Sequence, residues 1–333
     1  MRILIAIALF FGIHFSFNAQ TEATLKHTKE QVNIDQNRIE YLASSVLQEL
    51  PRKEKDSLSQ LLLQELSFET NLKQAFQFSF DQVKSISILT SPDSAFRIFN
   101  WEISYLDGTN RYECLLLKKI GNSYELERLQ PNDSIFEREV LINKQLNSQN
   151  WLSALYYKII LVESRFQTFY TLLAWNGNDL LTNKKYIEVL WFDKLGKTNF
   201  GAPIFRDNRS LQSRVIFEFG GQNSMNLNYE EESARISFSH LAPPSSTLEG
   251  IYEYYGADMT FDAYTWKGNY WQFISEVIPA WADPKGRTAT NVTKKTFEKE
   301  DVANPNAANK ILKESEKKLK EADDQLREFE KGQ

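Results

Sequence analysis

The chain has 333 residues, a formal charge of −5 at pH 7 and a 13% aromatic share. Its lysines and arginines are scattered along the sequence rather than gathered into one stripe, so neither nucleic acid nor an anionic membrane surface is an expected partner. Cys114 is the single cysteine, which excludes an intrachain disulfide; stability must come from a buried core, and a chain of this length can build one.

The first nineteen residues follow the order of a secretory signal peptide: Arg2, an apolar run from Ile3 to Ile13, and a polar stretch ending in Asn18 and Ala19. Cleavage is expected between Ala19 and Gln20, although Phe17 is bulky where the peptidase prefers a small side chain. The apolar run is shorter than the ~20 residues that cross a bilayer, so no membrane span is expected after cleavage. No cysteine follows it to accept a lipid. An exported protein, periplasmic or extracellular, is the expectation.

Residues 20–82 read as a helical segment. Ile39, Leu42, Val46 and Leu50 share one helical face that ends at or before Pro51. A second helix is expected from Asp56, a good N-cap, through Leu58, Leu61, Leu62 and Leu66. Neither helix is stable alone, and the following β region is the nearest surface to pack on.

From Val83 the period changes to two, and residues 83–278 read as an antiparallel β core. Ile86 and Ile88 lead to the turn Ser91-Pro92-Asp93-Ser94, and Phe99, Trp101, Ile103 and Tyr105 then alternate with Asn100, Glu102 and Ser104. Asp107-Gly108 is the favoured dipeptide of a tight hairpin, Tyr112 to Leu117 return as its partner, and Gly121-Asn122 turns into Tyr124 to Leu129. A polar stretch follows, with a short helix expected around Phe136 to Leu146. Strands Ala154 to Val162 and Phe166 to Trp175 are apolar on both faces, which predicts central positions covered on each side. Six further strands are expected between Tyr186 and Val277, separated by turns rich in Gly, Asn and Asp. The pattern predicts a mainly β fold, an antiparallel meander forming a sandwich or open barrel, with a propeller-like arrangement as the alternative.

Residues 279–309 read as a linker, broken by Asp283-Pro284-Lys285-Gly286 and Asn304-Pro305-Asn306. Residues 310–333 read as a charged amphipathic helix. Leu312, Leu319 and Leu326 repeat every seven residues along one narrow seam, a short coiled-coil pattern through which the chain can oligomerise. The stretches NWLSALYYKII (150–160), FYTLLAWNGND (169–179) and LEGIYEYYGADMTFDAY (248–264) resemble segments of an uncharacterised exported protein family from Bacteroidota. The resemblance spans about Ser85 to Val277 and implies a core domain with added ends; it implies no activity.

The inventory of catalytic residues is thin. Of the three histidines, His14 lies in the leader and His240 closes the alternation Ala234, Ile236, Phe238, at the rim of an apolar strand face where a histidine is ordinarily structural. The sequence has no cysteine pair, HExxH or spaced acidic loop, and no phosphate-binding glycine loop, so no metal and no cofactor are expected. Asp258 and Asp262 share a face on a regular strand but stand about 13 Å apart, too far for a glycosidase pair at ~5–9.5 Å. Glu230, Glu231 and Glu232 suit a solvated hairpin tip. Cys114 falls between Tyr112 and Leu116 on one strand face and is expected in the core. The aromatic set Tyr254, Tyr255, Tyr264, Trp266 and Trp271 is the candidate ligand platform, since sugar rings stack on exposed aromatic faces, although alternation sends about half of such residues inward. These observations lead to an exported envelope binding or scaffold protein without catalysis, its partner a protein or a glycan. The alternative is a carbohydrate-binding module or a carboxylate-dependent glycan hydrolase.

Overall fold

A computed structural model describes residues 34–68, 71–131, 138–207 and 210–282. The leader, the seam-bearing tail and most of the expected linker lie outside the described residues. Helix α1 (Gln36–Val46) starts where the Asp35 side chain accepts the Arg38 N–H, and it buries Ile39, Leu42 and Val46. Helix α2 (Arg52–Glu65) begins one turn earlier than the Asp56 cap predicts. Pro51, at φ −55°, is already set for helix entry and has no N–H to leave unpaired. Asp56 therefore lies within the helix, accepting a hydrogen bond from the Tyr105 hydroxyl at 2.5 Å and pairing with Arg111 at 3.1 Å. The short helix α3 (Leu72–Gln77) completes the layer.

The first sheet is the meander that the sequence predicts: β1 (Ser87–Thr90), β2 (Phe96–Ser104), β3 (Asn110–Ile120) and β4 (Ser123–Arg128) pair in that order. Its period-two pattern serves two interfaces. Phe99, Trp101, Ile103, Leu115 and Leu117 pack against the helices, and the Trp101 indole donates to Ser59 Oγ at 3.0 Å. Phe96, Ile98, Tyr112, Cys114 and Leu116 point the other way, into the next sheet.

A single turn of helix, α4 (Arg138–Leu141), precedes the second sheet. Its strands are β5 (Leu146–Asn147), β6 (Leu155–Glu163), β7 (Thr168–Asn176), β8 (Thr182–Phe192) and β9 (Thr198–Phe200), in the order β5-β9-β8-β7-β6. The third sheet contains β10 (Phe205–Arg206), β11 (Leu211–Gln212), β13 (Leu227–Glu230), β14 (Arg235–Ala242), β15 (Gly256–Trp266) and β16 (Trp271–Ile274), in the order β11-β10-β16-β15-β14-β13. Strand β12 (Val215–Gly220) returns to the second sheet and pairs with β8. Apart from the parallel β10–β16 pair, all these named strands pair antiparallel. One of the sheets curls into a half-barrel. The layers run helices, first sheet, second sheet, third sheet, with one apolar core at each of the three interfaces.

Stacking corrects several details of the sequence reading. Strand β6 is terminal in its sheet, not central; its two apolar faces are covered because sheets lie above and below, with Ile159 in one core and Ile160 and Val162 in the other. The helix expected around Phe136 to Leu146 is only one turn among the described residues, because Leu146 already belongs to β5. Glu230 is buried rather than solvated, held by Arg235 at 2.9 Å, while Glu231 reaches Lys158 at 2.6 Å. Asp258 and Asp262 do not share an environment. An irregularity in β15 opposite Ser239 and Leu241, with Met259 at φ +70°, leaves Asp258 exposed and Asp262 buried.

Candidate functional site

Strand β8 runs the length of the second sheet between two groups of turns. One group gathers the turns β2–β3, β7–β8 and β12–β13 with the loop 250–255, and specific contacts join them. Gly177 N–H donates to the Tyr112 hydroxyl at 2.8 Å, and Gly221 N–H to the Leu181 carbonyl at 2.7 Å. The Tyr255 carbonyl accepts from Gly220 N–H at 2.9 Å and from Asn223 Nδ2 at 2.8 Å, and its hydroxyl accepts from Gly250 N–H at 3.0 Å. Leu180 lies directly over Gly108, where an added Cβ would stand 2.1 Å from Leu180 Cδ2. The turn at Gly108 also needs φ +77°, so glycine serves both the turn and the close approach.

These contacts assemble an apolar surface from three of these segments, with the β12–β13 turn tying them together. Leu106, Leu180 and Leu181 are 72%, 75% and 63% exposed, and Ile251 and Tyr254 add exposed surface beside them. Large aliphatic side chains at turn tips are costly in water, and a contiguous exposed group of them marks an interaction surface. The rim is mostly acidic, with Asp107, Asp179 and Glu249 exposed. Thr109 and Arg52, both hydrogen-bonded to Asp107, pull its carboxyl down to about 2. Burial and the hydrogen bond to Asp56 push the nearby Tyr105 hydroxyl up to about 12. The sequence signal for this surface is the presence of leucines at positions flanking Asp107-Gly108 and Asn176-Gly177, where turn chemistry alone calls for polar residues.

The five residues of the expected aromatic platform do not share one face. Tyr254 is exposed and Tyr255 half-buried, both at the leucine surface. Tyr264 is buried between the second and third sheets, 5.5 Å from the Phe205 ring and 5.8 Å from that of Phe238. Trp271 is fully buried, with its indole donating to Thr171 Oγ1 at 3.0 Å, and Trp266 packs edge-on against it at 5.4 Å. The strand alternation thus sends Tyr264 and Trp271 inward.

His240 acquires a partner that its own neighbourhood in sequence does not supply. Its Nδ1 lies 2.8 Å from Asp262 Oδ2, and the other carboxylate oxygen accepts Glu276 N–H at 3.1 Å. The pair caps the rim of the core between the second and third sheets and fastens the segment that follows β16. Cys114 is fully buried between the first two sheets, where loss of water pushes its thiol well above the ordinary range. Among the described residues no group of three or more His, Cys, Asp or Glu is arranged to hold a metal ion, and no helix is long and apolar enough to cross a membrane. Comparison of the chain with family models, curated proteins and solved structures finds no match.

Proposed function

We propose that this is an exported binding or scaffold protein of the cell envelope, which engages a protein partner through the leucine surface. The observation that carries this reading is the contiguous exposure of Leu106, Leu180, Leu181, Ile251 and Tyr254 on interlocked turns. The chemistry of the surface favours a protein over a glycan. Sugars stack on aromatic faces, whereas aliphatic side chains pack best into apolar grooves of another protein. Of the five aromatic residues considered above, Tyr254 alone is exposed, the others being half-buried or buried. Cross-linked turns also suit a partner of defined shape, because little conformational freedom is lost on docking.

The test is affinity capture from envelope extracts with the unaltered chain and with the double variant Leu180→Asp, Leu181→Asp. Both positions are mostly exposed, so the variant should melt within a degree or two of the parent. A protein retained by the parent and lost with the variant is the expected result. Retention that ignores the substitution, or capture of a glycan in its place, defeats the reading.

A further inference from the structure

The second group of turns, at the opposite end of β8, combines exposed apolar tips with positive charge. The β6–β7 turn is a tight four-residue turn in which Ser164 N–H donates to the Gln167 carbonyl at 2.9 Å, leaving Arg165 and Phe166 at its tip. Phe166 is 87% exposed, with the Arg165 guanidinium 5.4 Å from its ring centre. In the β8–β9 turn, Asp193 Oδ1 accepts the N–H groups of Leu195 and Lys197, which fixes a loop that holds Leu195 81% exposed between Lys194 and Lys197. Gln167 Nε2 donates to the Phe192 carbonyl at 3.0 Å, which ties these two turns together.

Two further turns join the same end. Lys118 Nζ lies 3.4 Å from the Gly196 carbonyl, which brings up the β3–β4 turn with exposed Lys119 and Ile120. Arg165 N–H donates to Asn269 Oδ1 at 3.2 Å, which brings up the β15–β16 turn with Lys267. Arg206 lies 4.1 Å over the Tyr270 ring of that same turn. Lys119, Arg165, Lys194, Lys197, Arg206 and Lys267 are all exposed, and among the described residues none of them is in a salt bridge. Exposed acids towards this end include Asp93, Glu125 and Glu163, with Glu231 and Glu232 in the β13–β14 turn alongside the end of β15, Glu231 being paired with Lys158. Asp93 is occupied by Ser91 and Tyr170, and Glu125 by Lys118.

We propose that this pole docks on an anionic phospholipid surface, with Phe166 and Leu195 entering the interface and the six cations lying over the headgroups. Six exposed cations, none in a salt bridge among the described residues, fall within the roughly 4–8 that read as an anionic-lipid site. A protruding phenylalanine and leucine supply the apolar contact that charge alone lacks. A soft surface also matches separate tips better than a rigid groove does.

The experiment uses the full chain with vesicles of one part phosphatidylglycerol to two parts phosphatidylcholine, and with vesicles of phosphatidylcholine alone. Parent and variant both keep the N-terminal apolar run, so the difference between them reports the pole. Co-sedimentation with the anionic vesicles should fall about tenfold or more for Phe166→Ser, Leu195→Ser. It should also fall several-fold as salt rises from about 0.1 to about 0.5 M, because screening shortens the Debye length from ~10 Å. An unchanged melting temperature excludes misfolding as the cause. A second readout uses Leu195→Cys labelled with a polarity-sensitive dye, since buried Cys114 does not compete for label. The dye should brighten on anionic vesicles, while the same label at Leu180→Cys stays dim. Absence of vesicle binding overturns the proposal. So does binding that salt removes but the Phe166 and Leu195 substitutions leave intact, since the pole would then be a site for an acidic protein.

Discussion

The two ends of β8 are built from the same kind of part and differ in how the parts are joined. At the leucine end, turns from all three sheets are linked by backbone and tyrosine hydrogen bonds, and the exposed Leu180 side chain sits over Gly108 of a neighbouring turn. At the phenylalanine end each tip is fixed mainly within its own turn, by Ser164 or Asp193, and the links between turns are fewer. The rims differ in sign as well, with carboxylates around Leu106 and Leu180 and amines and guanidinia around Phe166 and Leu195. An interlocked apolar surface is pre-organised for one complementary shape, whereas separate tips ringed by exposed cations tolerate a surface without fixed shape. The eleven residues of β8 hold the two ends about 35 Å apart at ~3.3 Å per residue, so both can be occupied at once.

Because one strand carries both ends, a lesion at its middle should disable both. Glu188 lies in β8, buried, 2.7 Å from the equally buried Arg214, which also donates to the carbonyls of Leu141 and Lys144. Arg214→Leu strands a buried carboxylate and leaves two carbonyls without their donor. The expected cost is about 3–5 kcal/mol in chemical denaturation, with capture and vesicle binding falling together. Adding Glu188→Leu should recover only part of this, because the two carbonyls remain unpaired. A full recovery would mean that the ion pair, and not its attachment to α4, matters.

A smaller lesion should separate the ends. Gly108→Ala places a side chain at φ +77° and into the space of Leu180, with an expected loss of about 1–2 kcal/mol. Gly121→Ala, in the β3–β4 turn of the other end, carries a similar backbone penalty at φ +58° but meets nothing within 4 Å. Both variants should lose similar stability. Only Gly108→Ala should weaken partner capture, and neither should change vesicle binding by more than a small factor. Equal loss of capture in the two would show that stability, not the position of Leu180, governs the leucine surface.

The sequence carries much of the fold and little of the two surfaces. The alternation from Phe96 to Leu129 with Asp107-Gly108 and Gly121-Asn122 specifies the first sheet almost residue by residue, because hairpins are local. Cys114 was legible for the same reason: its position between Tyr112 and Leu116 fixes its face. Strand order in the second and third sheets was not legible. A run apolar on both faces reports two covered faces, and stacked sheets provide these as well for terminal β6 as for inner β7. The Asp262 partner of His240 lies 22 residues away across an irregular pair of strands, beyond any short motif. The surfaces draw on turns from Leu106 to Tyr254 and from Lys119 to Tyr270, so a charge pattern that is scattered in sequence becomes polarised in space.

The smallest expected effect concerns the sign of the leucine rim. Asp107 is exposed, yet the Thr109 hydroxyl and N–H and the Arg52 guanidinium hold its carboxyl at about 2, below the ordinary value of 3.8. A folded-state value below the unfolded one means that the unfolded chain takes up the proton first as pH falls. The stabilising contribution is therefore fully present above about 4 and is lost as pH falls toward 2. Between pH 5 and 8 this carboxylate should make no pH-dependent contribution, so partner capture should not vary through Asp107. Melting temperatures of the parent and of Asp107→Asn, measured from pH 6 down to 2, should differ slightly at the upper end and converge at the lower. Salt should shrink the difference, since the charges stand in water. A difference that persists unchanged to pH 2 would assign the effect to the hydrogen-bond geometry of the turn, which asparagine alters at every pH, and would remove Asp107 from the charge contrast between the two ends.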